Sequence, residues 1–379
     1  MSSQRWIDLC RRHRLDVEAI DCDWGWGAPV DRFSSLLEAD RHHEFKAVLV
    51  THNETATGVR SGVAAVRRAM DACDHPAMLF ADCVSSLASM DFRMDEWSVD
   101  VAVTGSQKGF KLPTGMAIVG VSQKAIEAAA TAACPRAFFD FGDMAAPNAK
   151  GVFPYTPPLQ LLCGRRTSMD MLFEEGLENV FARHRRIAEG VRTAVRALRL
   201  ELCARSPELY SGTVSAVYVP EGFDSEELID HIRDSYAVSF GVGLDPLARK
   251  VFRIGHLGAM RDVLALSGIA TVEMAMADLG CPVEPGFGTR AAKEYYRLTA
   301  RPAPRRLRVI SVRDAEDIWV AAYGDVMSSR RKPRASMLTE MSVHVCRVCG
   351  EWRGHQTSPR SVRCGASLTI HHHLPRPDT

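Results

Sequence analysis

The sequence predicts an α/β protein in which a large domain built on a mainly parallel sheet is followed by a smaller C-terminal α/β domain. Three observations predict it. Residues 45–50, 77–81 and 99–103 are short, nearly continuous apolar runs, the pattern of strands buried on both faces. Residues 61–73 place Val63, Ala64, Val66, Ala69 and Met70 at helical spacing between the first two runs, as a crossover helix requires. Beyond residue 200 the order strand, helix, strand, helix returns at 213–219, 225–235, 250–254 and 259–279.

The remaining elements follow in order. Residues 5–17 carry a helical pattern, and 17–22 read as a short extended run ending at Asp23-Trp24-Gly25-Trp26-Gly27. Residues 116–121 read as a strand leading into a helix over 122–133, and 134–158, rich in Phe, Gly and Pro, as a surface loop. Helical pattern then runs with an interruption from 159 to about 198. The domain boundaries expected are 1–175 for the large domain, 176–300 for the small one and 301–379 for a tail.

Composition narrows the function classes. The 379 residues are 46% apolar and 25% charged, ordinary for a globular chain, and no stretch approaches the roughly 20 apolar residues of a membrane span. Lys plus Arg number 47 against 46 Asp plus Glu, so net charge argues for neither nucleic acid nor a membrane as partner. The tail alone is basic, with 14 Lys and Arg against 7 acids. Eleven cysteines, an odd number scattered through apolar runs, point to a reducing cytoplasm.

Parallel sheets bind ligands outside the carboxyl ends of their strands. Two residues there bear chemistry. Lys108 follows a strand within Gly105-Ser106-Gln107-Lys108-Gly109, where small neighbours admit a ligand close to the backbone. Asp82 ends the neighbouring strand. Alone, Lys108 reads as a solvated turn lysine and Asp82 as a helix cap. Together they are what pyridoxal phosphate needs: an amine for the Schiff base and an acid that keeps the pyridine nitrogen protonated.

The motifs His52-Asn53-Glu54-Thr55-Ala56-Thr57-Gly58, Asp82-Cys83-Val84-Ser85-Ser86 and Gly105-Ser106-Gln107-Lys108-Gly109 resemble, in order and spacing, the class V aminotransferases of pyridoxal-phosphate fold type I, nearest to the serine–glyoxylate aminotransferases and related to alanine–glyoxylate aminotransferase. The resemblance continues through Phe141-Gly142-Asp143, Phe153-Pro154-Tyr155-Thr156-Pro157 and Val251-Phe252-Arg253-Ile254-Gly255-His256-Leu257-Gly258, over about residues 5–300. It implies fold type I, transfer of an amino group from serine or alanine to glyoxylate, and a homodimer. By resemblance Lys108 carries the cofactor and moves the proton, and Asp82 pairs with the pyridinium. Val84 packs on the ring, Thr55 bonds near its phenolic oxygen, and Gln107 touches the phosphate. Arg253 grips the substrate carboxylate, and Thr156 reaches the neighbouring subunit's phosphate. His52 and His256 read as structural, and Cys83 as packing rather than the mobile-loop cysteine of a desulfurase.

The sequence departs from the family at both ends. Family members begin with an arm and a Gly-rich segment that gives backbone amides to the phosphate, then a ring that stacks on the pyridine. Met1 falls inside the large domain, and Trp24 and Trp26 do not replace that ring. The rival expectation is therefore a truncated, catalytically impaired relative. After Tyr295-Tyr296-Arg297 the resemblance stops, and Cys346, Cys349, Cys364 and His371 to His373 fall short of a zinc ribbon. No metal site is expected there, only a disordered tail.

Overall fold

The computed structural model describes residues 2–300. The tail from 301, with its cysteines and histidines, lies outside the described residues, as does every expectation made for it. Helices α1 (Ser2–Arg12) and α2 (Val30–Ala39) precede strand β1 (Ala47–Thr51). A hairpin of β2 (Asn53–Glu54) and β3 (Val59–Arg60) leads to α3 (Val63–Ala72), β4 (Met78–Asp82), β5 (Val101–Gly105) and β6 (Ala117–Val121). Then come α4 (Gln123–Thr131), α5 (Phe141–Asn148), α6 (Leu159–Glu175), α7 (Leu177–Ala197), β7 (Val214–Tyr218) and α8 (Ser225–Tyr236). Strands β8 (Gly241–Val242) and β9 (Val251–Gly255) and helices α9 (Asp262–Asp278) and α10 (Phe287–Leu298) complete the described chain.

The apolar runs form a four-stranded sheet in the order β1-β4-β5-β6, with β1, β4 and β5 parallel and β6 antiparallel. Val50, Leu79 and Ala81 are buried against Val66 and Met70 of α3 in one apolar cluster. Each large aliphatic side chain withdrawn from water there contributes about 1.5–3 kcal/mol. Asp100, buried just before β5, accepts from Leu79 N at 2.9 Å and from Ser122 Oγ at 2.8 Å. Ser122 in turn caps α4 by accepting from Ala125 N at 3.1 Å. One carboxylate thus ties the central strand to the helix that follows the sheet.

A second sheet, antiparallel in the order β7-β9-β8, lies against a separate apolar cluster of Ile187 and Val191 from α7, Ile232 from α8, Met276 from α9 and Tyr296 from α10. Gly176, at φ +81°, is the break between α6 and α7 and also the cap of α7, a backbone shape that side chains resist. It is the interruption expected between 159 and 198.

Two local expectations are corrected. Residues 17–22 are irregular rather than extended, because a run this short and acidic finds no strand edge to pair with. The segment 134–158 is not all loop but holds α5, since Asp140 caps it by accepting from Asp143 N at 2.9 Å while also holding Arg136.

Helix α7 packs on α10 through a glycine. A Cβ on Gly190 would stand 2.1 Å from the Tyr296 ring, whose hydroxyl donates to Ile187 O at 2.8 Å. Gly190→Ala is expected to destabilise the protein by about 1–3 kcal/mol through overpacking, read as a lower urea midpoint with unchanged slope.

Candidate active site

The parallel register brings the polar strand ends to one rim. Thr51 is the Cα partner of Asp82, and Asp82 of Val103. The ladder runs one residue further, with His52 N donating to Asp82 O at 3.0 Å and Cys83 N to Val103 O at 2.8 Å. Asp82 is therefore held on both sides at its backbone. Its Oδ1 accepts from Val84 N at 2.9 Å, the Asx turn that Asp makes readily. Its other oxygen has no partner among the described residues. Burial raises the carboxyl pKa, the Val84 N–H opposes that, and the nearby Glu54 adds to it. Such a group gains from a cation beside it.

Lys108 lies in the turn directly after β5, half-buried. Two features pin that turn, and a third residue lies close to it. Ser106 is buried, donating from Oγ to Pro113 O at 2.7 Å. Gly109 sits where a Cβ would lie 2.0 Å from Leu87 O, so only glycine fits. Gly258, beyond β9, would place its Cβ 3.6 Å from Lys108 O. The Lys108 amine makes no hydrogen bond or ion pair among the described residues. Gln107 beside it is exposed, with its amide oxygen turned back toward Gly105.

Arg253 occupies the centre of β9, opposite Ala216 of β7 and Gly241 of β8. A Cβ on Gly241 would stand 3.1 Å from Arg253 Nε, so the glycine makes room for the guanidinium. Arg253 Nε donates to Val242 O at 2.8 Å and Nη1 to Thr55 O at 3.2 Å. It forms no ion pair among the described residues, and burial lowers its pKa against the pull of Glu54. Thr55 lies in the β2–β3 turn, half-buried, and Val84 is half-buried beside Asp82. Thr156 stands apart, exposed on the segment before α6. The fold thus puts Asp82 at the end of β4, Val84 and Lys108 just beyond β4 and β5, and Thr55 in a turn whose carbonyl is reached by Arg253 of β9, and leaves Thr156 on an exposed segment.

The histidines are structural. His52 Nδ1 pairs with Ser86 Oγ at 2.9 Å, and His256 bonds Ser215 Oγ at 3.1 Å and Gly212 O at 3.2 Å. Burial lowers their pKa values to about 4 and about 3. Cys83 is fully buried, its thiol pushed upward by burial and by Asp82. Sequence reasoning missed His184, whose Nε2 accepts from Gly258 N at 2.9 Å while Arg183 Nη1 donates to Gly258 O at 2.9 Å. Helix α7 so clamps the glycine that abuts the Lys108 turn. It also missed the buried hydrogen bonds of Asn53, Ser85 and Thr213. Two of these three lie inside the quoted motifs, but nothing local links them to Thr213.

The family model described as aminotransferase class-V matches residues 2–243. The chain belongs to the class V aminotransferases. The L-aspartate–glyoxylate aminotransferase of Paracoccus denitrificans is 60% identical to this aminotransferase over 306 residues, 81% of this chain and 77% of that one. The serine–glyoxylate aminotransferase of Hyphomicrobium methylovorum is 53% identical over 78% of this chain and 73% of its own. Among solved structures, pyridoxamine–pyruvate aminotransferase from Mesorhizobium loti superposes with a TM-score of 0.69 at 29% identity, covering 74% of this chain and 72% of that one. The fold is that of the pyridoxal-phosphate-dependent aminotransferases of fold type I, and pyridoxal phosphate is the cofactor. The groups present fit it: a half-buried carboxylate at the rim with one oxygen unmatched, an amine in the turn after β5 without a partner, and on β9 a guanidinium without an ion-pair partner among the described residues.

Buried neutral histidines make the aminotransferase acid-sensitive. His52, His184 and His256 titrate in the fold at about 4, about 4 and about 3, below their unfolded value near 6.5. The unfolded chain therefore binds more protons, and stability falls as pH drops through about 6.5 toward those values, by up to about 1.4 kcal/mol per pH unit for each. Urea unfolding between about pH 5 and 6.5 is expected to show this slope, flatter in His52→Gln.

Proposed function

We propose that the chain transfers an amino group to glyoxylate from a short amino acid, serine foremost. The observation that carries this is the set of Asp82 at the end of β4, Lys108 in the turn after β5 and Arg253 on β9, each with bonding capacity unused by the protein. The names of the relatives supply the acceptor. Aspartate as donor is the second reading, favoured by the 60% identity to an L-aspartate–glyoxylate aminotransferase.

The residue roles are our reading. When bound, pyridoxal phosphate supplies an electron sink that makes the substrate α-hydrogen acidic. Lys108 holds the cofactor, and its neutral amine carries the proton to and from the substrate α-carbon. Asp82, anchored by Val84 N, keeps the pyridine nitrogen protonated, and the nitrogen's charge favours the ionised carboxylate that burial disfavours. Val84 packs on one face of the ring, Thr55 bonds its phenolic oxygen and Gln107 its phosphate. Arg253 takes the substrate carboxylate in two parallel bonds and sets the α-carbon near Lys108.

We further read the chain as a homodimer in which Thr156 reaches the partner's phosphate. Support comes from the exposed side chains around it: Phe139 is 79% and Phe153 50% exposed, and the rings of Phe138 and Tyr155 lie 4.6 Å apart. Residues 1–175 and 176–300 are read as large and small domains, in keeping with the two separate apolar clusters. Eight free cysteines among the described residues suit a reducing cytoplasm, and no described helix is long and apolar enough to cross a membrane.

The test is an absorption spectrum after loading with pyridoxal phosphate and removing the excess. The near-visible band should bleach with L-serine and return with glyoxylate, with L-aspartate run in parallel. Lys108→Ala should lack the band and lose at least about 10²–10⁴-fold in kcat, whereas wild type spectrally identical to Lys108→Ala would overturn the reading. Arg253→Ala should raise KM for both substrates about 10–100-fold, as expected for lost charge-assisted bonds. Phe139→Arg should shift sedimentation from twice the chain mass to the 41.8 kDa monomer.

A further inference from the structure

We propose that Asn53, Ser85 and Thr213 form a buried polar knot that sets the span between the substrate-carboxylate site at Arg253 and the cofactor site at Asp82, which makes them positioning residues for transamination. The proposal rests on the roles given above to Arg253 and Asp82. All three side chains are buried, at 2%, 7% and 1% exposure. Asn53 Nδ2 donates to Ser85 Oγ at 2.8 Å and to Thr213 Oγ1 at 3.1 Å. Thr213 Oγ1 donates to Ser85 O at 2.9 Å, and Ser85 Oγ to Asn53 O at 2.8 Å.

Each member belongs to a different part of the site. Asn53 stands two residues before Thr55, whose carbonyl accepts from Arg253 Nη1. Ser85 follows Val84, whose N–H is held by Asp82. Thr213 directly precedes β7, which pairs Ala216 with Arg253, and its own carbonyl accepts from His256 N at 2.9 Å. The knot therefore fastens the rim of the parallel sheet to the strand beside the one that bears Arg253.

Its composition suits positioning better than stability. Hydrogen bonds fix direction, whereas apolar contacts can slide. Asn53 Oδ1 is buried with no partner, and an unmatched acceptor opposes folding. An apolar filling of the same shape would hold the loops together equally well without it. A bound amino acid must reach from Arg253 to the cofactor above Asp82, so a small change in that span reduces substrate binding before it affects the cofactor.

Thr213→Val removes the hydroxyl and keeps the volume. Expected are an unchanged lysine-dependent absorption band, a kcat within about threefold, and KM values for donor and glyoxylate raised about tenfold. The dissociation constant of glycolate, an unreactive carboxylate probe measured by calorimetry, should rise by the same factor, equivalent to about 1.4 kcal/mol. Thr213→Ser should restore most of the loss. Asn53→Ala, which serves where Thr213→Val does not fold, should act in the same direction, and the double variant by less than the product of the two. A lowered melting temperature with unchanged glycolate affinity and KM would reduce the knot to a structural role and overturn the proposal. A wild type that binds glycolate but shows no lysine-dependent band would instead strike the assigned roles of Lys108 and Asp82.

Discussion

The register of β4 between β1 and β5 is the constraint on which the site depends. Asp82 faces the rim because Thr51, Asp82 and Val103 stand level across three parallel strands. In a strand, a slip of one residue turns every side chain to the opposite face. Such a slip would send Asp82 toward the core and Ala81 toward the ligand. The burial of Val50, Leu79 and Ala81 against α3 holds the register, and the backbone bonds of His52 and Cys83 carry it past the strand ends. Packing of aliphatic side chains is thus what aims a carboxylate.

Around this rim the protein satisfies most polar groups internally and leaves a few unmatched. Glu273 is spent on the first turn of α10, Asp100 on Ser122 and Leu79 N, and Arg186 on Asp262. The buried histidines are held neutral by desolvation and hydrogen-bonded to hydroxyls and backbone. Against that background Asp82, Lys108 and Arg253 stand out. An ionisable group kept half-buried without a counter-charge costs stability, and a polar ligand that completes their bonding readily explains why these three remain so.

What could be read from the sequence follows the range of the interactions. Strands β1, β4 and β5 were legible because one face is buried and the other is at least half-covered, so apolar side chains stand on both and their runs are nearly uninterrupted. Lys108, Asp82 and Arg253 were legible because each sits in a compact motif after or within such a run. The capped helix α5 was hidden, since one Asp140 among Phe, Gly and Pro is a faint signal beside a composition that reads as loop. Hairpin β2–β3 has two residues per strand, too few for any period to register. The pairing of Asn53 with Thr213, 160 residues apart, and the hold of α7 on Gly258 arise only when the two sheets come together. No local pattern encodes them.

The central claim is that Lys108 is the residue that bears pyridoxal phosphate. The most direct measurement is borohydride reduction of the loaded protein followed by peptide mass spectrometry. The account predicts one dominant pyridoxyl adduct, on the peptide containing Lys108 and on no other described lysine. An adduct spread over surface lysines such as Lys46, Lys124 and Lys150, or none at Lys108, would contradict it.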